Sequence, residues 1–334
     1  MKKILVLGGT GAMGVYLVPK LIERGYAVDV ASLDTVESNT PNLRYFTGDC
    51  MDVNYVSELL KNGYDGIVDF MIYNEDKFEE RHKMFLDNTS HYIYLSTYRI
   101  YANEEHPVKE TSPRLLDASK DEEFLATDDY ALYKAKGENV LLASNYNNWT
   151  AIRPAITYSK RRFQLVTLEA PHVVGRALRG ERLLLPKEAK DVQATMSWAG
   201  DVAEMIARLL FNEKAYREIY SVCTAEHMTW GEVADIYKEL IGLEVVWIDT
   251  DDFLRIVTTG AQRPKAFKYQ LIYDRFFDRI MDNSKILEAT GLKQSDLSTL
   301  YDGLKRELAG VDVNTFNEPK TGPVMDQYLQ EKGL

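Results

Sequence analysis

The feature that most constrains the fold is a glycine-rich turn that follows the first apolar run of the chain. Residues 4–7, Ile-Leu-Val-Leu, have the character of a buried strand, and directly after them comes Gly8-Gly9-Thr10-Gly11-Ala12-Met13-Gly14. A helical pattern of apolar residues then runs as far as Arg24. A buried strand, a tight glycine turn and a helix start form the context that a dinucleotide-binding turn requires.

The glycines of this turn have separate roles. Gly8 allows a sharp exit from the strand, Gly11 leaves no side chain between backbone and pyrophosphate, and Gly14 lets the helix lie close to the sheet. The free N–H groups and the positive end of the helix dipole then face the phosphates. A plain strand-to-helix turn is the alternative, but the flanking strand and helix favour cofactor binding. The predicted contacts to the cofactor here are Gly8, Thr10, Gly11, Ala12, Met13 and Gly14.

Composition limits the class of protein. The chain has 334 residues, 45% of them hydrophobic, which suffices for one large domain or two interlocked ones. Its net charge of −11 disfavours nucleic acid and anionic membranes as partners. Two cysteines, Cys50 and Cys223, suggest no disulfide framework. We find no signal peptide, membrane span or metal-ligand cluster, and expect a cytoplasmic protein without a bound metal.

Apolar strands alternate with helical segments along the first half of the chain. After the first strand, strand patterns occur at 27–31, 43–46, 66–72 and 91–97. This alternation predicts an α/β fold with a parallel sheet covered on both faces. In the second half, Thr229 and Glu232 form a capping box before an amphipathic helix that is predicted to end at Gly242.

The end of the second strand bears on the choice between NAD and NADP. An acidic residue there binds the ribose hydroxyls of NAD, whereas a nearby Arg accepts the 2′-phosphate of NADP. Counted from Gly25, this position falls on Ser32, which favours neither cofactor. No Arg or Lys lies between residues 26 and 43, and Asp34 is close by. We therefore expect NAD, with NADP as the alternative.

A tyrosine and a lysine carry the predicted chemistry. Tyr130 and Lys134 are four residues apart at the start of a helical pattern, so their side chains share one face. An ammonium near a phenol favours the phenolate and lowers a pKa that is normally about 10. The pair could take or return a proton at a substrate hydroxyl while a hydride moves to or from nicotinamide. The alternative is a solvated tyrosine beside a surface lysine.

Five motifs in order resemble those of the extended short-chain dehydrogenase/reductases, the group that contains nucleotide-sugar epimerases and dehydratases. They are the glycine turn, Gly48-Asp49, Ser96-Thr97, the Tyr130/Lys134 pair and Arg153-Pro154, and the resemblance spans roughly residues 1–295. It implies a Rossmann-type doubly wound parallel sheet and a smaller α/β C-terminal substrate domain. We expect a Rossmann domain over 1–160, completed by a segment near 195–225, a discontinuous substrate domain over 161–310, and a tail over 311–334.

The resemblance also implies roles for single residues. Thr97 would orient the substrate oxygen toward Tyr130, although a hydroxyl at a strand end also commonly binds local backbone. Lys134 would hold the nicotinamide ribose, and Asp49 would accept from the adenine amino group. The further cofactor contacts that the resemblance implies are Ser32, Cys50, Phe70, Met71, Pro154 and Ala155.

The sequence departs from the family where dehydratases carry an acidic pair, directly after the catalytic threonine. This chain has Tyr98-Arg99 there, and elimination of water needs an acid and a base. We therefore expect a nucleotide-sugar epimerase that binds a nucleotide sugar and forms a homodimer through the helix starting at Tyr130. The alternatives are an NAD(P)H-dependent reductase and a non-catalytic nucleotide-bound scaffold or RNA-binding protein. Arg176, Arg179, Arg182, Arg263 and Arg275 are not assigned to substrate.

Overall fold

A central parallel sheet organises the structure, a computed structural model that describes residues 1–334. The strands are β1 (Lys3–Leu7), β2 (Ala27–Ser32), β3 (Leu43–Thr47), β4 (Gly66–Asp69), β5 (His91–Leu95), β6 (Trp149–Ile152), β7 (Ile156–Tyr158), β8 (Gln164–Leu165), β9 (Leu168–Glu169), β10 (Leu183–Pro186), β11 (Gln193–Ala194), β12 (Met196–Trp198), β13 (Glu218–Tyr220), β14 (Met228–Thr229) and β15 (Val245–Ile248). Seven of them form the central sheet in the order β3-β2-β1-β4-β5-β6-β13. All six pairings are parallel, and the order reverses between β1 and β4, where such folds bind ligands.

Helices cover the sheet and build the rest of the molecule. They are α1 (Gly14–Glu23), α2 (Val53–Leu60), α3 (Glu75–Asp87), α4 (Leu115–Ala118), α5 (Glu122–Leu125), α6 (Tyr130–Ala143), α7 (Arg176–Leu178), α8 (Ala199–Leu209), α9 (Trp230–Ile241), α10 (Thr250–Val257), α11 (Pro264–Gln270), α12 (Ser284–Thr290), α13 (Leu300–Leu308) and α14 (Gly322–Lys332). None of them combines the length and the apolar character needed to cross a membrane.

The two faces of the sheet carry separate apolar cores because side chains alternate along a strand. Ile4 and Val6 of β1 belong to the core that β1 shares with α1 and α8. Leu5 and Leu7 belong to the core on the other face, with residues of α2, α3 and α6. Helices therefore cover both faces, and the predicted Rossmann-type, doubly wound fold class is confirmed.

A third apolar core lies beside the sheet and contains 40 buried residues. Two parallel strand pairs, β7 with β12 and β10 with β15, contribute to this region. The C-terminal helix α14 packs into it through the buried residues Met325, Tyr328 and Leu329. An ion pair between Arg176 of α7 and Asp326 also ties α14 to this region.

The capping box predicted before α9 is confirmed. The side chain of Thr229 accepts from the Glu232 amide, and the Glu232 carboxylate accepts from the Thr229 amide at 2.7 Å. The helix ends at Gly242, whose φ of 74° is the left-handed conformation that glycine adopts readily.

Gly14 is predicted to tolerate no larger residue. A Cβ there would lie 2.2 Å from the carbonyl oxygen of Gly9 and 2.5 Å from its Cα. Because both neighbours are backbone atoms, Gly14→Ala should lower the free energy of unfolding by about 1–3 kcal/mol in urea denaturation. Gly231→Ala, in the first turn of α9, is the control, with a change of less than about 1 kcal/mol. Equal unfolding midpoints for wild type and Gly14→Ala would contradict this account.

Candidate functional site

The glycine turn presents free backbone donors at the start of α1. Gly8 has a φ of 72°, and the amide of Gly11 closes the turn on the Gly8 carbonyl at 3.1 Å. The amides of Thr10, Ala12 and Met13 donate no hydrogen bond within the protein. Unpaired amides at the N-terminus of a helix of this length fit a pyrophosphate. The turn therefore has the donor set that a dinucleotide requires.

An arginine that the sequence analysis did not single out lies against this turn. Arg161 follows β7, and its Nη1 donates to the Thr10 carbonyl at 2.9 Å. It sits in a tight turn closed by backbone hydrogen bonds between Ser159 and Arg162. Its guanidinium adds positive charge where the phosphates of a dinucleotide would lie. The signal in the sequence is the basic run of residues 160–162 directly after a strand.

The end of β4 lies next to the glycine turn. A Cβ on Gly8 would meet Met71 Sδ at 3.4 Å and Phe70 Cβ at 3.5 Å. Ile72, one residue further, is 50% exposed despite its apolar side chain. The structure thus brings the predicted residues Phe70 and Met71 to the predicted pyrophosphate site.

The corner predicted to bind adenine is formed by residues that follow β3. The Asp49 Oδ1 accepts from the Met51 amide at 2.8 Å, which leaves Oδ2 without a hydrogen bond inside the protein. Burial raises the pKa of the neighbouring Cys50 to about 11, so its thiol stays protonated at neutral pH. Asp52 caps α2 by accepting from the Asn54 amide. The two aspartates therefore have different roles.

The end of β2 offers no free cation for a 2′-phosphate. Ser32 is buried, and its Oγ accepts from the Asp34 amide at 3.2 Å. Arg44, on the neighbouring strand β3, pairs with the buried carboxylate of Asp29 at 2.7 Å. This arrangement favours the ribose of NAD over that of NADP.

One face of α6 carries Tyr130, Lys134 and Glu138 at intervals of four residues. Asp129 caps the N-terminus of this helix, and its side chain accepts from the Ala131 amide at 2.9 Å. Near its middle, Glu138 accepts from Arg153 Nε at 2.8 Å and Nη2 at 2.7 Å. Glu138 also accepts from Ser96 Oγ at 2.5 Å. This buried carboxylate fixes α6 against the ends of both β5 and β6.

Lys134 is fully buried at the bottom of the site. Its ammonium donates to the carbonyl of Leu95 at 2.5 Å and to that of Met71 at 3.3 Å. An ammonium has three donors, so one of them makes no hydrogen bond within the protein. Burial lowers the pKa of Lys134 to about 8, although the nearby Asp69 carboxylate opposes this shift.

Tyr130 and Thr97 line the same cavity, of about 470 Å³. Pro154 and Ala155, predicted to border the nicotinamide, also line it, as does Ile72. Thr97 Oγ1 accepts from the Arg99 amide at 3.2 Å, so the local backbone role of this hydroxyl is also present. Two of the three predicted catalytic residues, Thr97 and Tyr130, therefore lie with Pro154 and Ala155 in one cavity, whereas Lys134 is buried and does not line it.

The positive charges that lower the pKa of Tyr130 are not the one expected from the sequence, which was the ammonium of Lys134. Burial raises the pKa of Tyr130, and the charges that oppose this rise belong to Arg99 and Arg162. The Arg99 guanidinium lies 5.3 Å from the centre of the Tyr130 ring. The Lys134 ammonium is 5.9 Å from that centre and is bound to backbone carbonyls.

Sequence reasoning assigned no site role to three further residues, C-terminal to β7, that face the cavity. Gln164, Gln270 and Arg275 line it. Arg275 binds the buried Asp274 directly before it in the sequence. The only signal for this cluster is the charged pattern Asp-Arg-Phe-Phe-Asp-Arg at 274–279. For Glu138 the signal is its spacing of four residues from Lys134.

The fold and the site are those of the extended short-chain dehydrogenase/reductases. The features that indicate this class are the doubly wound sheet, the glycine turn after β1 and the face of α6 that carries Tyr130 and Lys134. Residues 4–223 match the NAD dependent epimerase/dehydratase family, and the chain belongs to this family. This family consists of NAD-dependent members of the extended short-chain dehydrogenase/reductases. About a third of the chain, including the segment with Arg275, lies outside the matched region.

Individual proteins similar to this chain are only 14–26% identical to it over the aligned residues. Over 251 residues it is 26% identical to the chloroplast stem-loop binding protein of 41 kDa b from Arabidopsis thaliana, covering 70% of this chain and 61% of that relative's length. The structure of dTDP-glucose 4,6-dehydratase from Bacillus anthracis with NAD superposes with a TM-score of 0.69 at 16% identity, covering 92% and 96% of the two chains. UDP-glucuronic acid 4-epimerase from Bacillus cereus, in complex with UDP-glucuronic acid and NAD, gives 0.69 at 14% identity, covering 92% and 98%. These structures share the fold.

The buried ammonium of Lys134 predicts a pH dependence of stability for protein freed of nucleotide. Above about pH 8 native Lys134 loses its proton, whereas an unfolded lysine keeps it to about pH 10.4. The unfolded state then binds more protons, so the free energy of unfolding should rise with pH, by up to about 1.4 kcal/mol per unit. Urea denaturation of wild type and Lys134→Met between about pH 8 and 10 measures the difference.

Lys136→Met removes a partly exposed lysine from the same helix and should keep the wild-type slope. Parallel pH curves for wild type and Lys134→Met would contradict the lowered pKa.

Proposed function

We propose that the protein is a nucleotide-sugar epimerase that uses NAD for reversible hydride transfer at one hydroxyl carbon. The observation that carries this proposal is the lining of the cavity, which joins Thr97 and Tyr130 to Pro154 and Ala155 without any Asp, Glu or His. Such a site has a proton-transfer group and a place for nicotinamide but no carboxyl group for elimination. The UDP-glucuronic acid bound in the Bacillus cereus epimerase structure supports the substrate class.

In this mechanism each residue acts at a defined atom of the substrate or cofactor. NAD supplies the hydride acceptor. Tyr130 takes the hydroxyl proton as the carbonyl forms and returns it when the carbonyl is reduced from the other face. Thr97 Oγ1 orients the same substrate oxygen, and the free donor of Lys134 holds the nicotinamide ribose.

Dehydration is disfavoured by the residues beside the catalytic threonine. Elimination needs a carboxylic acid near the leaving hydroxyl, and the buried carboxyl group behind Tyr98 and Arg99 is that of Asp274. Burial raises the pKa of Asp274, but Arg275, Arg279 and Arg99 more than offset this and hold it below its usual value. Asp274 therefore stays ionised and is a poor proton donor.

Carbonyl reduction and RNA binding receive less support than epimerisation. A reductase must exchange its cofactor in every turnover, whereas Arg161 packs over the pyrophosphate turn and favours retention of a bound dinucleotide. The name of the Arabidopsis relative refers to stem-loop binding, a nucleic-acid function. The net charge of −11 opposes it, because phosphate contacts supply most nucleic-acid affinity.

We also propose the division of the chain, its oligomeric state and its location. The Rossmann domain would comprise 1–160 with 195–225, and the substrate domain most of 161–310. A homodimer through α6 would cover Leu142, which is 46% exposed. Both cysteines are free and buried, in keeping with a cytoplasmic location.

The first experiment identifies the nucleotide that copurifies with the protein. We expect mass spectrometry of the denatured protein to find stoichiometric NAD with some NADH, since an epimerase regenerates its cofactor in place. Protein that is isolated empty but binds NADH or NADPH would indicate a reductase. Failure to bind any of these nucleotides would contradict the assignment of the glycine turn.

Tyr130→Phe tests the catalytic role directly. Removing the hydroxyl should lower turnover of the accepted nucleotide sugar by at least about 100-fold, the range for loss of acid–base catalysis. Bound NAD should be retained, because the glycine turn is unchanged. Tyr146→Phe, which removes an exposed hydroxyl bonded to Asp87, is the control. Wild-type turnover in Tyr130→Phe would refute the mechanism.

A further inference from the structure

Three arginines and no carboxylate line the cavity beside Tyr130. They are Arg99, Arg162 and Arg275. The cavity wall is therefore positively charged on the side where a substrate would contact Tyr130, although the whole chain carries a net charge of −11. This charge is opposite in sign to the acidic pair that dehydratases carry after the catalytic threonine.

The carboxylates behind this wall do not balance it. Asp274 is fully buried and is shared by Arg275, by Arg279 at 3.2 Å and by Arg99 at 3.5 Å. Arg99 also approaches Asp129 at 3.6 Å, and Arg162 approaches Glu169 at 3.7 Å. The cluster thus contains four guanidinium groups and three carboxylates.

Two of the arginines have donors that the protein leaves unused. The Arg99 guanidinium donates no hydrogen bond within the protein: its Nε lies 3.5 Å from Asp274 and its Nη2 lies 3.6 Å from Asp129, which leaves Nη1 without a partner. Arg275 Nε donates to the Val166 carbonyl at 2.7 Å, and its Nη1 donates to Tyr98 and Asp274. Its Nη2 donates to no protein atom. The cavity therefore combines excess positive charge with unused hydrogen-bond donors. This combination favours an anionic ligand over a neutral one.

From this arrangement we propose that the substrate carries an anionic group, a carboxylate or a phosphate, on the sugar that reacts at Tyr130. Arg99, Arg162 and Arg275 bind this group, while Gln270 hydrogen-bonds neutral hydroxyls of the ring; the Gln164 amide instead accepts from Arg162 at 3.1 Å and donates to Glu169. The guanidinium fork matches both carboxylate and phosphate oxygens. The inference rests on the proposed function, which places a sugar in this cavity, and adds the chemistry of its substituent.

The test compares ligand pairs that differ by the charged group alone. NAD-loaded protein is titrated by calorimetry with UDP-glucuronate and with UDP-glucose. Two acidic sugars that lack the UDP group, glucuronate and glucose 6-phosphate, are then compared with glucose by ligand-observed NMR and thermal shift. We expect at least one acidic ligand to bind at least tenfold more tightly than its neutral counterpart, and the stronger of glucuronate and glucose 6-phosphate identifies the group.

Variants connect the preference to the arginines. Arg162→Gln, at the partly exposed rim, and Arg99→Gln should each reduce the preference for the anion at least threefold, and Arg99→Lys should retain part of it. Arg255→Gln removes an exposed guanidinium on α10 and should leave the preference unchanged. Circular dichroism of each variant establishes that it is folded.

The outcomes separate this inference from the proposed function. Equal binding of the acidic and neutral members of every pair would overturn the inference while leaving an epimerase intact, as would an acid preference that survives in both Gln variants. Binding of glucuronate or glucose 6-phosphate, lost in these variants, with no binding of any UDP-sugar would support the anion site and overturn the nucleotide-sugar assignment.

Discussion

The site depends on one buried ion pair, between Glu138 in the middle of α6 and Arg153 at the end of β6. Both side chains are almost completely buried, and Glu138 also accepts from Ser96 at the end of β5. Breaking such a pair by removing one partner typically costs about 3–5 kcal/mol, because the remaining charge stays buried. The pair sets the rotation and height of α6, which determine where Tyr130 and Lys134 stand relative to Thr97.

This constraint explains why motifs far apart in sequence act as one unit. Thr97 follows Ser96, Pro154 follows Arg153, and Lys134 lies one turn before Glu138 on the same helix. Each residue of the ion-pair network thus lies next to, or one helical turn from, a residue predicted to act in the site. In the Arg-Pro motif that follows β6, Pro154 lines the cavity and Arg153 pairs with Glu138.

Much of the fold could be predicted from the sequence because it follows from local patterns. Strand and helix periodicity gives the parallel sheet, and the glycine turn after β1 marks one end of the site. The cluster of Arg99, Asp274 and Arg275 could not be predicted in this way. Arg99 lies about 175 residues before Asp274 and Arg275, and only the packing of the second half of the chain against the sheet brings them together. The effect of Arg99 on Tyr130 was also missed, because strand and helix patterns do not show that the residues after β5 lie against the start of α6.

The tight turn between Ser159 and Arg162 has a consequence for how ligands influence one another. Arg161 contacts the glycine turn, and its neighbour Arg162 faces the cavity beside Tyr130. Two adjacent residues of one hydrogen-bonded turn therefore reach both the glycine turn and the cavity. If binding of one ligand moves this segment, the affinity for the other ligand changes, and thermodynamic linkage makes this effect reciprocal. The factor by which a dinucleotide changes substrate affinity through this segment equals the factor by which the substrate changes dinucleotide affinity.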